Sequence, residues 1–201
     1  MDSSPGTVDA EQLGARLREL REQSGRSLRS LATELGISAS ALSQIERGVM
    51  QPSVNRLLAI VTALDVPLAE VFEDRPVVAV AHAPHDRIVV TRASTPASPV
   101  ELGMGVVYRR LSPSHMQGVD FFESSYPPRS SGDDKAVLHT HEGYEVGNVS
   151  RGTLTIEFAD ETVELGPGDS ITYPSRTPHL ISNLHDETAV AVWLIVHPEE
   201  H

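Results

Sequence analysis

The sequence predicts an α+β protein in two domains, helical first and all-β second, and three observations predict it. From Glu11 to Asp74 the apolar residues recur at helical spacing. From residue 104 to residue 197 the period drops to two, in short runs broken by Gly, Pro and Asp. Between them, residues 75–103 are rich in Pro and Ala, as a linker should be, with Ile88 to Thr91 as a possible first strand. The expected units are therefore residues 11–74, a connecting segment 75–103, and residues 104–197.

Composition limits what such a chain does. A length of 201 residues suits two small domains, each able to bury a core. With no cysteine, disulfides and thiolate metal sites are excluded, and a reducing, cytoplasmic compartment is expected. No apolar run reaches membrane-spanning length, and the polar, acidic start (MDSSPGTVDAEQ) is unlike a signal peptide, so no membrane partner is expected. The net charge of −12 argues at first against nucleic acid. Yet residues 10–56 hold seven Arg against five Glu, a balance of +2, while residues 76–201 hold 8 basic and 17 acidic side chains, a balance of −9. Phosphate contacts depend on local charge, so the first domain keeps that option.

The helical elements come in order. Leu13, Leu17 and Leu20 mark one helix, Leu28, Leu31 and Leu35 a second, and Leu57, Leu58, Val61 and Leu64 a later one. Gly25, Gly36 and Gly48 lie between segments, where helices stop. The stretch SLRSLATELGISASALSQIERG, Ser27 to Gly48, has the layout of a helix-turn-helix. Ser27 caps one helix, Gly36 permits a tight turn, and Ser38 caps the next. Leu31, Ala32, Ile37, Leu42 and Ile45 form the shared core, and small Ala32 lets the helices approach. Gln51-Pro52-Ser53 opens a fourth helix, and Pro67 suits the first turn of a fifth.

This five-helix string resembles the lambda-repressor/Cro-like (XRE) DNA-binding domain, on Leu31-Ala32, Gly36-Ile37-Ser38, Leu42-Ser43, Ile45-Glu46-Arg47-Gly48 and Pro52-Ser53. The resemblance implies that the helix after Ser38 enters the major groove of a double-stranded DNA operator. Its early residues Ala39, Ser40, Ser43 and Gln44 then meet the base edges, with Ser40 and Ser43 able to contact base or phosphate and the capping Ser38 among the expected DNA contacts. Gln44 is the best base reader, because its amide pairs bidentately with adenine. Arg29, Arg47 and Asn55 are expected phosphate contacts, which position the protein without reading sequence. One departure is Leu28, where many relatives carry Gln, and one DNA contact is lost there. Glu46 is expected to partner an Arg of the first helix rather than DNA.

Beyond the linker, GVVYRRL, VDFFESSY, AVLHTH, TLTIEF, ETVEL, SITYP, HLISNL and AVAVWLIV read as short strands of an antiparallel barrel or sandwich. Within them stands HTHEGYE, residues 139–145. Residues two apart on a strand share a face, so His139 and His141 point together, and a turn at Glu142-Gly143 returns Glu145 toward them. Imidazole and carboxylate suit divalent Fe, Mn, Ni or Zn. The string His139-x-His141, Glu145, Gly152, then Gly168, Pro174, His179 and Asn183, resembles the two cupin motifs. That resemblance implies a jelly-roll barrel holding one divalent metal per chain, with His179 as a fourth ligand beside His139, His141 and Glu145. Arg176 departs from the family's usual Gly and is expected at the barrel mouth or in solvent. His82, His85, His115, His185, His197 and His201 match no ligand position and are expected on the surface.

The pairing of domains resembles fused XRE–cupin proteins. It implies a homodimeric transcription regulator whose barrel senses a small-molecule effector, with Tyr108, Arg109, Tyr126, Tyr144, Phe158 and Trp193 as possible pocket liners. The rival is a metal-dependent non-haem oxygenase or epoxidase on the same two domains, with two His and one carboxylate as ligands. A third option, a storage or oligomerisation module, has no residue speaking for it.

Overall fold

A computed structural model describes residues 10–66, 68–71, 88–94, 99–113, 116, 118–132 and 138–197. Four helices build the first domain: α1 (Ala10–Gln23), α2 (Leu28–Glu34), α3 (Ala39–Glu46) and α4 (Val54–Leu64). The last three each begin on a serine whose Oγ accepts a backbone N–H one turn on: Ser27 from Ser30, Ser38 from Ala41, Ser53 from Arg56. These bonds satisfy donors that a helix start leaves open. Gly25, Gly36 and Gly48 all take positive φ at the stops expected of them.

The five-helix expectation is corrected to four. After α4 the chain makes only a single helical turn, Leu68–Val71. So short a segment closes almost no internal hydrogen bonds, and it is held by burial of Leu68 and Val71 in the domain core rather than by helix propensity. Pro67 lies outside the described residues. Leu13, Leu17 and Leu20 of α1 meet Leu31 and Ala32 of α2, Leu42 and Ile45 of α3, and Leu57, Ile60, Val61 and Leu64 of α4 in one core. Each such side chain contributes about 1.5–3 kcal/mol on burial. Arg21 of α1 grips Glu46 of α3 with two bonds, Nε–Oε1 at 2.6 Å and Nη2–Oε2 at 3.0 Å, both groups buried. Glu46 thus has the helix-one partner expected of it.

The strand expected at Ile88 to Thr91 does not form. Ile88 is 96% exposed and Val89 and Val90 are exposed beside it. Strand propensity is a fit to a pleated, half-buried surface, and among the described residues this segment pairs with no strand. The β domain instead starts at β1 (Val100–Glu101), succeeded by β2 (Val107–Arg110), β3 (Val119–Tyr126), β4 (Ser130–Ser131) and β5 (Tyr144–Arg151). Then come β6 (Leu154–Phe158), β7 (Thr162–Leu165), β8 (Ser170–Pro174), β9 (His179–Asn183) and β10 (Ala189–Val196). They form two antiparallel sheets, ordered β1-β2-β3-β10-β5-β8 and β4-β9-β6-β7. Ahead of β2, the Gly103 N–H donates to the Pro52 carbonyl, beside the Ser53 cap of α4, at 2.9 Å.

Burial alternates residue by residue along β3, β5 and β10. The register therefore defines rows. Asp120, Ile195, Glu145 and Tyr173 pair in succession across β3, β10, β5 and β8, and all four are buried on the inner face. One residue away, Phe121, Leu194 and Val146 pair on the outer face. Gly147 leaves room for Trp193: a Cβ there would come within 2.4 Å of the indole ring.

Candidate metal centre and nucleic-acid face

The expected DNA-facing residues gather around α3. Ser38 caps the helix, Ser40 is exposed, and Ala39, Ser43 and Gln44 are half-buried along one side. Arg29 and Arg47 are exposed, and Arg47 Nε donates to the Ser43 carbonyl at 3.2 Å. Asn55 lies in the first turn of α4, but its side chain is outside the described residues. Glu46 points the other way, into the core, which leaves this face without that carboxylate. Sequence reading missed Val49 and Met50, both exposed just past α3.

In the β domain, His139 pairs with His179 as an isolated bridge, each N–H donating to the other's carbonyl at 2.9 and 3.0 Å. Direct pairing puts the two side chains on one face. His141 N–H donates to the Ser175 carbonyl at 3.1 Å. The chain then turns at Gly143, whose φ of 110 and approach to the Val196 carbonyl (a Cβ would lie 2.4 Å away) admit only glycine. Two residues on, strand alternation turns Glu145 inward, 3% exposed.

His141 Nε2 lies 2.8 Å and His179 Nε2 3.1 Å from Glu145 Oε1. Tyr173 donates its hydroxyl proton to Glu145 Oε2 at 2.9 Å. The other nitrogen of each imidazole faces a carbonyl: His179 Nδ1 faces Thr177 O at 2.8 Å, and His141 Nδ1 faces Glu142 O at 3.2 Å. A carbonyl only accepts, so each Nδ1 carries a proton, and each ring, when neutral, presents its Nε2 lone pair to the centre. His141 Nε2 and Glu145 Oε1 are buried and make no hydrogen bond of good geometry. Three acceptors facing one point repel one another unless a cation or protons lie among them. The ligand atoms of His141, Glu145 and His179 fall within 4.8 Å of one another, and this set fits a metal ion. The ring of His139 shares their face but is not in that set.

Ionisation obeys the same geometry. Burial pushes the Glu145 carboxyl up, but the facing His141 and His179 outweigh it and bring it down to about 2. Burial lowers His179, yet Glu145 and then the Thr177 carbonyl leave it raised. Burial and the charge of Glu145 raise Tyr173, which keeps its proton to donate.

The sequence matches the helix-turn-helix domain family over residues 12–73 and the cupin domain family over residues 126–195. The HTH-type transcriptional regulator PuuR of Escherichia coli (strain K12) is 26% identical over 174 residues, 85% of this chain and 86% of that protein. The transcriptional regulator ClgR of Mycobacterium tuberculosis (strain ATCC 25618 / H37Rv) is 44% identical over 64 residues, 32% of this chain and 57% of ClgR. In structure, the chain is similar to an HTH_3 family transcriptional regulator from Vibrio cholerae, with a TM-score of 0.68 and 23% identity over 96% of this chain and 98% of that one. The chain is a helix-turn-helix transcriptional regulator with a C-terminal cupin domain.

The expected pocket liners of the regulator separate. Tyr108, Tyr126 and Trp193 are fully buried on the inner side; Tyr108 stacks on Phe122 at 4.7 Å and Trp193 bonds Ser124. Tyr144 is corrected: at 59% exposure it stands on the outer face, because it precedes inward Glu145 by one residue. Arg109 also faces outward, paired with Glu123 at 2.8 Å. Of the group only Phe158 lines the cleft of about 440 Å³ between β7 and β8. Arg176 is exposed and paired with Glu142 at 2.6 Å, so of its two expected fates solvent is the one found. His185 faces Glu164 at the surface, whereas His197 reaches buried Asp120 at 2.9 Å. His82, His85, His115 and His201 lie outside the described residues. Sequence reading missed Tyr173, whose only signal was its alternation with Ile171 along β8. Among the described residues no helix is long and apolar enough to cross a membrane.

Proposed function

We propose that the regulator binds a pseudo-palindromic operator as a homodimer and that its cupin domain, a jelly roll of two facing sheets, carries one divalent metal and senses a small molecule. The observation that carries the metal reading is the convergence of two imidazole Nε2 lone pairs and a buried carboxylate on one point, with both tautomers fixed from behind. His141, Glu145 and His179 would hold the ion, and His139, on the same face, would be the fourth ligand. The metal when bound supplies a Lewis-acid position for an oxygen or nitrogen donor of the effector. The chain's own residues do the rest. Thr177 and Glu142 carbonyls hold the imidazoles in the ligating tautomer, and Tyr173 fixes the second oxygen of Glu145.

On DNA, Gln44 and Ser40 read bases from α3 while Arg29, Arg47 and Asn55 position the domain on phosphates, with Ser38, Ala39 and Ser43 lining the same groove. One such domain covers one half-site, and two-fold symmetry supplies the other. The apolar outer rows of the six-stranded sheet, Val119–Val196–Tyr144 and Phe121–Leu194–Val146, favour that sheet as the dimer face. An effector then changes DNA affinity by preferring one of two dimer geometries.

One observation favours the enzyme reading: the converging set is two His and one carboxylate, the composition that leaves positions open for oxygen chemistry. A single set of measurements on wild type and His141→Ala decides between them. Elemental analysis should find metal in the first and none in the second, and operator binding by residues 11–73 should survive in both. Loss of effector response with the metal supports the sensor. Turnover of a candidate substrate that disappears with the metal would hand the domain to the oxygenase reading.

A further inference from the structure

The cleft between β7 and β8 lies where the two sheets fail to close, since β7 and β8 are each the free edge of their sheet. Its volume of about 440 Å³ suits a small organic ligand. Phe158, Val163, Ile171 and Tyr173 give it apolar walls. The charged side chains lining it are Asp160 and Glu161, on the β6–β7 hairpin. Among the described residues neither carboxylate has a basic partner. Arg176, next to Thr177 on the rim, is taken by Glu142. An apolar pocket with two uncompensated carboxylates at its lip and two aromatic rings in its wall selects for positive charge on an apolar body.

The inner wall of the cleft is also the outer wall of the metal centre. Phe158 meets Tyr173 edge-to-face at 5.2 Å, and Tyr173 meets the His179 ring at 4.9 Å. The Tyr173 hydroxyl, on its far side, donates to Glu145 Oε2. A ligand pressing on Tyr173 therefore touches the residue that orients a metal-facing carboxylate.

We propose that this cleft is the effector site, that its ligand is an organic ammonium ion with a short apolar body, and that Tyr173 is the positioning residue through which occupancy reaches the metal centre. The proposal rests on the sensor reading of the cupin domain and names the ligand class for it.

The test uses the full-length protein and three probes of one size: n-hexylammonium, 1-hexanol and hexanoate. Calorimetry should detect hexylammonium binding, with hexanol and hexanoate several-fold to about tenfold weaker, the scale of two exposed ionic contacts. The double variant Asp160→Asn/Glu161→Gln should bring hexylammonium down to the level of hexanol. In Co(II)-loaded protein, hexylammonium should shift the visible spectrum. Tyr173→Phe should keep binding within a few-fold but lose that shift. Equal binding of hexanoate, or a double variant that binds the ammonium undiminished, overturns the ligand class. A spectral shift retained in Tyr173→Phe overturns its role. Failure of the two readings is separable: calorimetry needs no metal, so a protein that binds no Co(II) yet prefers hexylammonium refutes the metal centre alone. A Co(II)-binding protein with no ammonium preference refutes the cleft alone.

Discussion

Raising the pH should weaken the metal-free protein and strengthen the metal-loaded one, because the two forms need the same groups in opposite ionisation states. Without metal, Glu145 and His179 act as a buried ion pair. Glu145, lowered from 4.5 to about 2, contributes fully above 4.5 and loses that contribution as the pH falls through about 2. His179, raised from 6.5, contributes fully below 6.5 and loses it as the pH rises through its raised value. The metal-free centre is thus best between 4.5 and 6.5. The displacement of Glu145 corresponds to roughly 3 kcal/mol at 1.36 kcal/mol per unit, divided between His141 and His179, so the His179 contribution is a part of it and is not added to it. With metal bound, the imidazoles must be neutral, and affinity falls as the pH drops through about 6.

The assay is thermal melting monitored by near-UV circular dichroism, where Trp193 and the buried tyrosines report on the β domain. Melts would be run at about pH 5.5 and about pH 8.5, in chelator and in excess Mn(II) or Zn(II). In chelator the midpoint should fall with pH by several degrees, at about 4–8 °C per kcal/mol for a domain of this size. In metal it should rise, so the stabilisation by metal is larger at the higher pH; a concentration of 100 Kd adds about 2.7 kcal/mol. Groups elsewhere titrate alike in both series and cancel in the difference. Parallel curves, or a larger metal effect at the lower pH, would refute the reasoning. Glu145→Gln should flatten both responses.

Gln44→Ala should cost roughly 1–3 kcal/mol in operator affinity and relax base preference at one position per half-site, measured by fluorescence anisotropy against an operator variant series. Arg47→Ala should instead weaken all sequences alike and reduce the salt slope by about one. Glu46→Ala leaves Arg21 buried without its partner and should destabilise the helical domain by about 3–5 kcal/mol in urea unfolding, while leaving the metal content unchanged. Val146→Arg sets a charge at one end of the outer apolar row, beside Leu194, and should give monomers by light scattering at micromolar concentration; an unchanged dimer would place the interface elsewhere.

The helix-turn-helix was legible in the sequence because its signals are local. A serine cap acts within three residues, a positive-φ glycine acts at its own position, and a helical apolar stripe repeats within a turn. Even the partner of Glu46 was legible, since a carboxylate on the core side of α3 needs a cation and α1 supplies Arg21. The motif around residues 139–145 likewise nominated His141 and Glu145 of the converging set, because the side-chain period of a strand and the turn after it bring them to one side. What the sequence alone did not determine depends on which distant segments become neighbours. The turn Leu68–Val71 in place of a fifth helix, and the unpaired Ile88–Thr91, were decided by packing that overrides local propensity. Strand parity turned Tyr144 out and Glu145 in, and a one-residue slip would have exchanged them. The register of β5 with β8, set 28 residues apart along the chain, brought the Tyr173 hydroxyl to Glu145. That pairing belongs to the assembled sheet, where a long-range partner costs loop-closure entropy and is held only once both faces are buried.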